Sequence, residues 1–194
     1  MTVSLKDLFV AKVSTDAEGV DTYAAPERLA KAIKADINVK VAEATLYADD
    51  GADAVEKEFV SLEMKLNTND LSPQMRSKVL GQKIDADGVV YGGANDDAPY
   101  FAVGFRARKR GKTYIHLWYY RVKFGVPSES YETKGENISF KTPEIIGTGM
   151  KRHDGSWKAD YTATEDDPIA AAWFDTVREP AEEPTLPPTP PPEG

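Results

Sequence analysis

The sequence predicts a mainly β fold with a minor helical component (α+β). Short apolar runs alternate with period two, which puts one set of side chains on one face of a strand. Gly, Asp, Asn and Pro cluster between these runs, and those are the residues that turns require. Helical periodicity is confined to short stretches that carry their own capping residues.

Lys6 to Val13 is the first apolar-rich run. Pro26 to Ala35 places Leu29, Ala32 and Ile33 at helical spacing and predicts a helical turn. Ile37 to Tyr47 carries Ile37, Val39 and Val41 on one face, then Ala42, Ala44 and Leu46, so the phase slips between Val41 and Ala42. One inserted residue flips a strand's alternation, so a β-bulge is expected there. Ala48 to Ala54 is a polar connection rich in Asp, suited to a hairpin. The return strand alternates Val60, Leu62, Met64 and Leu66 with polar residues, the cleanest period-two run in the chain. Ser72, Pro73 and Gly81 then bracket a helix as N-cap, first helical residue and C-cap, with Met75, Val79 and Leu80 facing the core.

Pro99 to Lys109 puts Phe101, Val103, Phe105 and Ala107 on one face, and Arg110-Gly111 turns the chain. Lys112 to Phe124 returns with Tyr114, His116, Trp118, Tyr120, Val122 and Phe124 on one face and Ile115, Leu117 and Tyr119 on the other. A strand that is apolar on both faces is central, covered by its own chain or by a neighbouring subunit. Ile138 to Phe140, Ile145 to Met150 and Trp157 to Thr164 are further strands, with Arg152 to Ser156 as a hairpin turn between the last two. A second helix is expected from Pro168 towards Arg178, capped by Asp166 or Asp167, with Ile169, Ala172, Trp173 and Val177 as its stripe.

The 194 residues divide into one folded domain, 1–179, and a tail, 180–194. A domain of that length buries roughly 70% of the surface of its unfolded chain, so it needs no staple. The tail holds seven of the 13 prolines, a single bulky aliphatic residue (Leu186) and three glutamates. Such a segment buries too little apolar surface to order itself and is expected to be extended, either a plain solvated terminus or a spacer or docking segment.

The chemistry that the sequence excludes is extensive. There is no cysteine, which removes disulfides, thiolate nucleophiles and zinc–thiolate sites. The formal net charge of −8 disfavours tight nucleic-acid binding, though such a chain can surround DNA without gripping it. The first residues lack a basic flank followed by a long apolar run, and no stretch approaches the roughly 18 apolar residues of a membrane helix, so neither a signal peptide nor a membrane anchor is expected. The two histidines, His116 in an aromatic strand and His153 in a polar turn, are not spaced to share a metal. Asp49, Asp50, Asp53 and Glu56 cluster, as do Asp85 and Asp87, but neither group has the alternating ligands of a calcium loop. No Gly-rich phosphate loop, nucleophile elbow or paired-histidine zinc motif is present. No catalytic, cofactor or metal residue is therefore assigned, and no enzymatic activity is expected. The densest basic patch is Arg106, Arg108, Lys109, Arg110 and Lys112. It contacts phosphate, docks on an acidic face of another copy, or is simply solvated; the overall acidity favours the second over the first.

The segment Pro99 to Phe124 resembles a known family, and so does an ordered series of fragments: Leu46 to Asp50, Leu80-Gly81, Asp87 to Val90, Val126 to Glu129, Tyr131 to Glu136, Ile138 to Thr148 and Asp154 to Lys158. Together these are similar to the major tail proteins of long-tailed, non-contractile bacteriophages, over most of residues 1 to 178. The resemblance implies a tail-tube subunit, a β-sandwich or barrel with a flanking α-helix, related in fold to the tube of type VI secretion. It implies six copies in a ring whose inner strands close a continuous barrel, rings stacked into a tube, and an acidic lumen through which double-stranded DNA slides without specific binding. The implied partners are other copies, the tape measure protein and other tail proteins. The implied location is the virion, after folding and assembly in the host cytoplasm. The family has no catalytic or cofactor residues to carry over, and the proline-rich end departs from its pattern.

On this reading the hairpin of Asp49, Asp50 and Asp53 is a candidate ring-to-ring contact, and the basic hairpin of Arg106, Arg108 and Arg110 is another. Trp118 and Tyr120 are further candidate contacts. They also support a different expectation, a monomeric carbohydrate-binding or adhesion module, because exposed aromatic rings stack on sugars. A related tube or tail-terminator protein is the near alternative.

Overall fold

The computed structural model describes residues 4–48, 51–109, 111–127 and 142–180, with 45–48 and 51–54 described as backbone. The expected strand at Ile138 to Phe140, Asp49, Asp50, Arg110 and residues 181–194 lie outside that set. In chain order the described elements are β1 (Ser4–Thr15), β2 (Asp21–Tyr23), β3 (Glu27–Ala30), β4 (Ala32–Ala48), β5 (Gly51–Thr68), α1 (Pro73–Leu80), β6 (Lys83–Ile84), β7 (Val90–Tyr91), β8 (Tyr100–Arg108), β9 (Thr113–Phe124), β10 (Glu144–Met150), β11 (Lys158–Thr164) and α2 (Pro168–Ala171).

The protein is mainly β, as the periodicity predicts. Nine of the described strands form one antiparallel sheet in the order β2-β1-β8-β9-β10-β5-β4, with β3 also on β1 and β11 also on β9. A small hairpin, β6–β7, stands apart. One face of the sheet encloses the main core, in which Leu8, Leu62, Met64, Leu66, Phe101, Val103, Val122 and Ile145 are almost fully buried. Helix α1 covers part of that face through Val79 and Leu80. Its ends are as expected: Ser72 Oγ accepts from the Met75 amide, Pro73 opens the helix, and Gly81 closes it at φ 68°. The other face of β1, β8 and β9 carries a second, aromatic core of Trp118 and Tyr120 with Ala11 and Ala102, covered by Trp173 and Val177 from the chain after β11. The doubly apolar β9 is thus central and is covered by its own chain.

Several expectations change in the structure. Pro26 to Ala35 is not helical: it forms β3 and the start of β4, because Glu27, Arg28 and Ala30 pair with β1 and pairing overrides a weak local periodicity. The predicted bulge exists, but it lies on β5: Lys40 faces Ser61 and Val41 faces Phe59, leaving Val60 as the extra residue. Val60 is consequently exposed, while Phe59 packs on the core side. A second slip, unforeseen, sits on β9. Val103 faces Tyr119 and Phe101 faces Val122, so Tyr120 and Arg121 together oppose Ala102. This turns Val122 and Phe124 to the main core, away from His116, Trp118 and Tyr120. The Arg152 to Ser156 link is a turn, with Arg152 N–H bonding Ser156 C=O at 2.8 Å, but it is no hairpin. Strands β10 and β11 pair with successive stretches of β9, 121–124 and 113–119, and run end to end along its rim. Helix α2 is a single turn capped by Asp167, after which the chain continues as turns; Ala170, Trp173 and Val177 are buried and Ile169 is exposed.

Candidate assembly surfaces

The β4–β5 hairpin is much longer than the sheet it belongs to. Residues 62–67 of β5 pair with β10, whereas residues 51–61 pair, among the described residues, with β4 alone. At about 3.4 Å per residue this arm spans roughly 35 Å. Its root is fixed by aromatic stacking, Phe59 on Trp157 at 4.9 Å between centroids, and by Lys151 Nζ bonding Glu58 at 2.8 Å. Val55, beyond the root, is exposed, and so are Val41, which faces Phe59, and bulged Val60 at the root itself. A cross-strand pair, Lys57 with Glu43 at 3.1 Å, is exposed and contributes little. Asp53 is a further unpaired residue near the tip, since Leu46 faces Ala54 and Tyr47 faces Ala52. A two-stranded ribbon is marginal in water by itself.

The basic hairpin is less free than its sequence implies. Arg106 is half-buried on β8 and committed to its own chain: Nε donates to Asp7 at 2.5 Å, and the guanidinium lies 5.0 Å over the Tyr114 ring. Asp7 also accepts from Arg28 at 2.6 Å and holds the left-handed φ of 56° at a bulge in β1. Lys109 Nζ donates to Thr162 at 3.1 Å. Arg108 is exposed, and its Nε donates to the Gly111 carbonyl at 3.4 Å. Gly111 itself turns the chain at φ 89°. Beside Arg106 a cleft of about 560 Å³ opens over Phe9 and Phe174, with Glu165 and Asp175 at its edge.

Trp118 and Tyr120 are not exposed, which corrects the expectation that they offer rings to a sugar or a subunit. They are 0% and 1% accessible because the chain after β11 lies across them. Trp118 Nε1 donates to the Trp173 carbonyl at 3.1 Å, and Tyr120 Oη donates to the Arg178 carbonyl at 2.8 Å. Arg152 ties the end of this segment, donating to Glu179 at 2.9 Å from beneath the rings of Tyr23 and Tyr120. Burial pushes the Tyr120 hydroxyl up to about 12.

Among the described residues no group of three or more His, Cys, Asp or Glu side chains is placed to hold a metal ion. None of the described helices is long and apolar enough to cross a membrane. The exposure of the arm's valines escaped the sequence analysis, which aligned Val60 with Leu62, Met64 and Leu66 on one face; the slipped alternation at Val41 and Ala42 was the available sign. Asp7 and Arg28 left no sign at all, because their partner is 99 residues away for the Asp7–Arg106 pair. No protein-family model and no curated protein matches the sequence.

Proposed function

We propose that the chain is a structural tail-tube subunit, a major tail protein of the long-tailed, non-contractile bacteriophage type. Six copies form a ring, and rings stack into the tube that conducts DNA to the host. The observation that carries this reading is the β4–β5 arm: a long ribbon whose residues 51–61 pair, among the described residues, with β4 alone, and which bears exposed Val41 and Val55, is what a stacking subunit needs. The acidic balance of −8 supports it, since a conduit that repels phosphate lets DNA slide. Exposed Arg108 and Lys112 complement an acidic neighbour. On this reading the tape measure protein and the other tail proteins are partners of the tube, and the virion is the location. The sugar-binding alternative loses its support with the burial of Trp118 and Tyr120.

Negative-stain electron microscopy of the purified full chain, paired with sedimentation over a wide concentration range, tests the proposal. Rings or tubes about a sixfold axis are expected. A single monomeric species at every concentration overturns it.

A further inference from the structure

His116 is the one buried histidine of the described residues, 1% accessible on β9. Neither ring nitrogen makes a hydrogen bond of good geometry. Its surroundings are rings: Tyr114 at 6.4 Å, Trp173 at 6.1 Å and Phe174 at 6.1 Å between centroids. Two of these three belong to the segment after β11, which closes over the ring from outside. Phe174 also stacks on Phe9 at 5.1 Å, and Trp173 on Tyr161 at 5.8 Å. The cleft beside Arg106 is lined on one side by Asp7, Phe9 and Arg106 of the sheet and on the other by Ala170, Ala171 and Phe174 of that segment.

We propose that residues 168–180 are an acid-released strap: neutral His116 lets them close over the sheet, and a proton on His116 lifts them off. A buried charge that lacks a hydrogen-bonded partner is costly, and opening the strap is the short route to water. The charged groups that act on the ring do not cancel this. Arg106 on β8 opposes a second positive charge. Asp7 on β1 and Asp167 at the cap of α2 favour it, but the Asp7 carboxylate is held by Arg28 and Arg106. Asp167 is occupied by the amides of Ile169 and Ala170 and by the Tyr161 hydroxyl. From β11, the Tyr161 backbone favours the charged ring, and desolvation outweighs it, which holds His116 below its ordinary value of 6.5. The open state therefore binds the proton first as pH falls. Asp167 is itself held below 3.8, chiefly by the Ala170 amide, so its own acid release belongs to a separate, lower window.

Hydrogen exchange on the full chain, corrected for intrinsic rates and followed from about pH 7.5 to about pH 4.5, tests this. The opening constant of peptides spanning 168–180 is expected to rise by about tenfold per pH unit below 6.5 until His116 titrates in the closed state. Peptides spanning 62–67 of β5 stay protected over the same range. In His116→Phe the rise disappears, and in His153→Asn it remains. A rise that persists in His116→Phe, or opening of β5 in step with the strap, overturns the proposal. Should His116→Phe fail to fold, the ring of His116 is titrated by NMR in the native chain, with exposed His153 as reference. A midpoint below 6.5 that coincides with the onset of strap exchange supports the inference; a ring that titrates at or above 6.5 overturns it.

Discussion

Gly104 shows how closely this sheet is packed. A Cβ built there meets the ring of Trp118 at 2.6 Å, and Trp118 is fully buried with its indole N–H committed to Trp173. The indole lies flat against the strand only because residue 104 has no side chain. Gly104→Ala is expected to cost roughly 1–3 kcal/mol in urea denaturation, the usual penalty of overpacking a core. Trp173→Ala acts from the opposite side of the same layer: it removes the ring stacked on Tyr161 and uncovers His116. Its cost is expected to be about 3–5 kcal/mol, measured in the same way.

Helix α1, the capped start of α2, the hairpin strands and the central position of β9 are legible in the sequence because each is written locally, in a cap, a period or a run. What the sequence hides is which strand carries the first slip, β5 and not β4, and the existence of the slip on β9. Val60 and Val122 are apolar whichever face they occupy, so composition does not reveal that a one-residue bulge turns Val60 out to solvent and Val122 into the main core. The pairing of Pro26 to Ala35 with β1 is likewise set by a distant strand. The arm gains its meaning from the first slip. Changing exposed Val41, at the root of the arm, and exposed Val55, beyond it, together to Ser is expected to leave stability in urea within about 0.5 kcal/mol, as exposed positions do. The same variant is expected to abolish rings and tubes by electron microscopy. Reversing charge at Arg108 and Arg110 together is expected to lower tube yield; undiminished yield counts against a contact there.

The whole molecule responds to pH on two sides. His116, held below 6.5 by burial, adds stability that is complete above 6.5 and declines as pH falls. Tyr119 and Tyr120 are pushed up from 10.0 to about 12 by burial, so their contribution is complete below 10.0 and is lost as pH rises towards 12. Urea midpoints are expected to be flat between these limits and to drop beyond each, and His116→Phe is expected to blunt the first part of the acid limb alone. The sheet also settles where the protein tolerates growth. Strands β10 and β11 share one rim of β9, and the chain from Lys151 to Trp157 leaves that rim and rejoins it, with Gly155 turning freely at φ 83° and no atom near its missing side chain. Extra residues spliced between Asp154 and Gly155 change no ladder partner, which makes this siding the natural berth for an epitope or a fluorophore on an otherwise unaltered subunit.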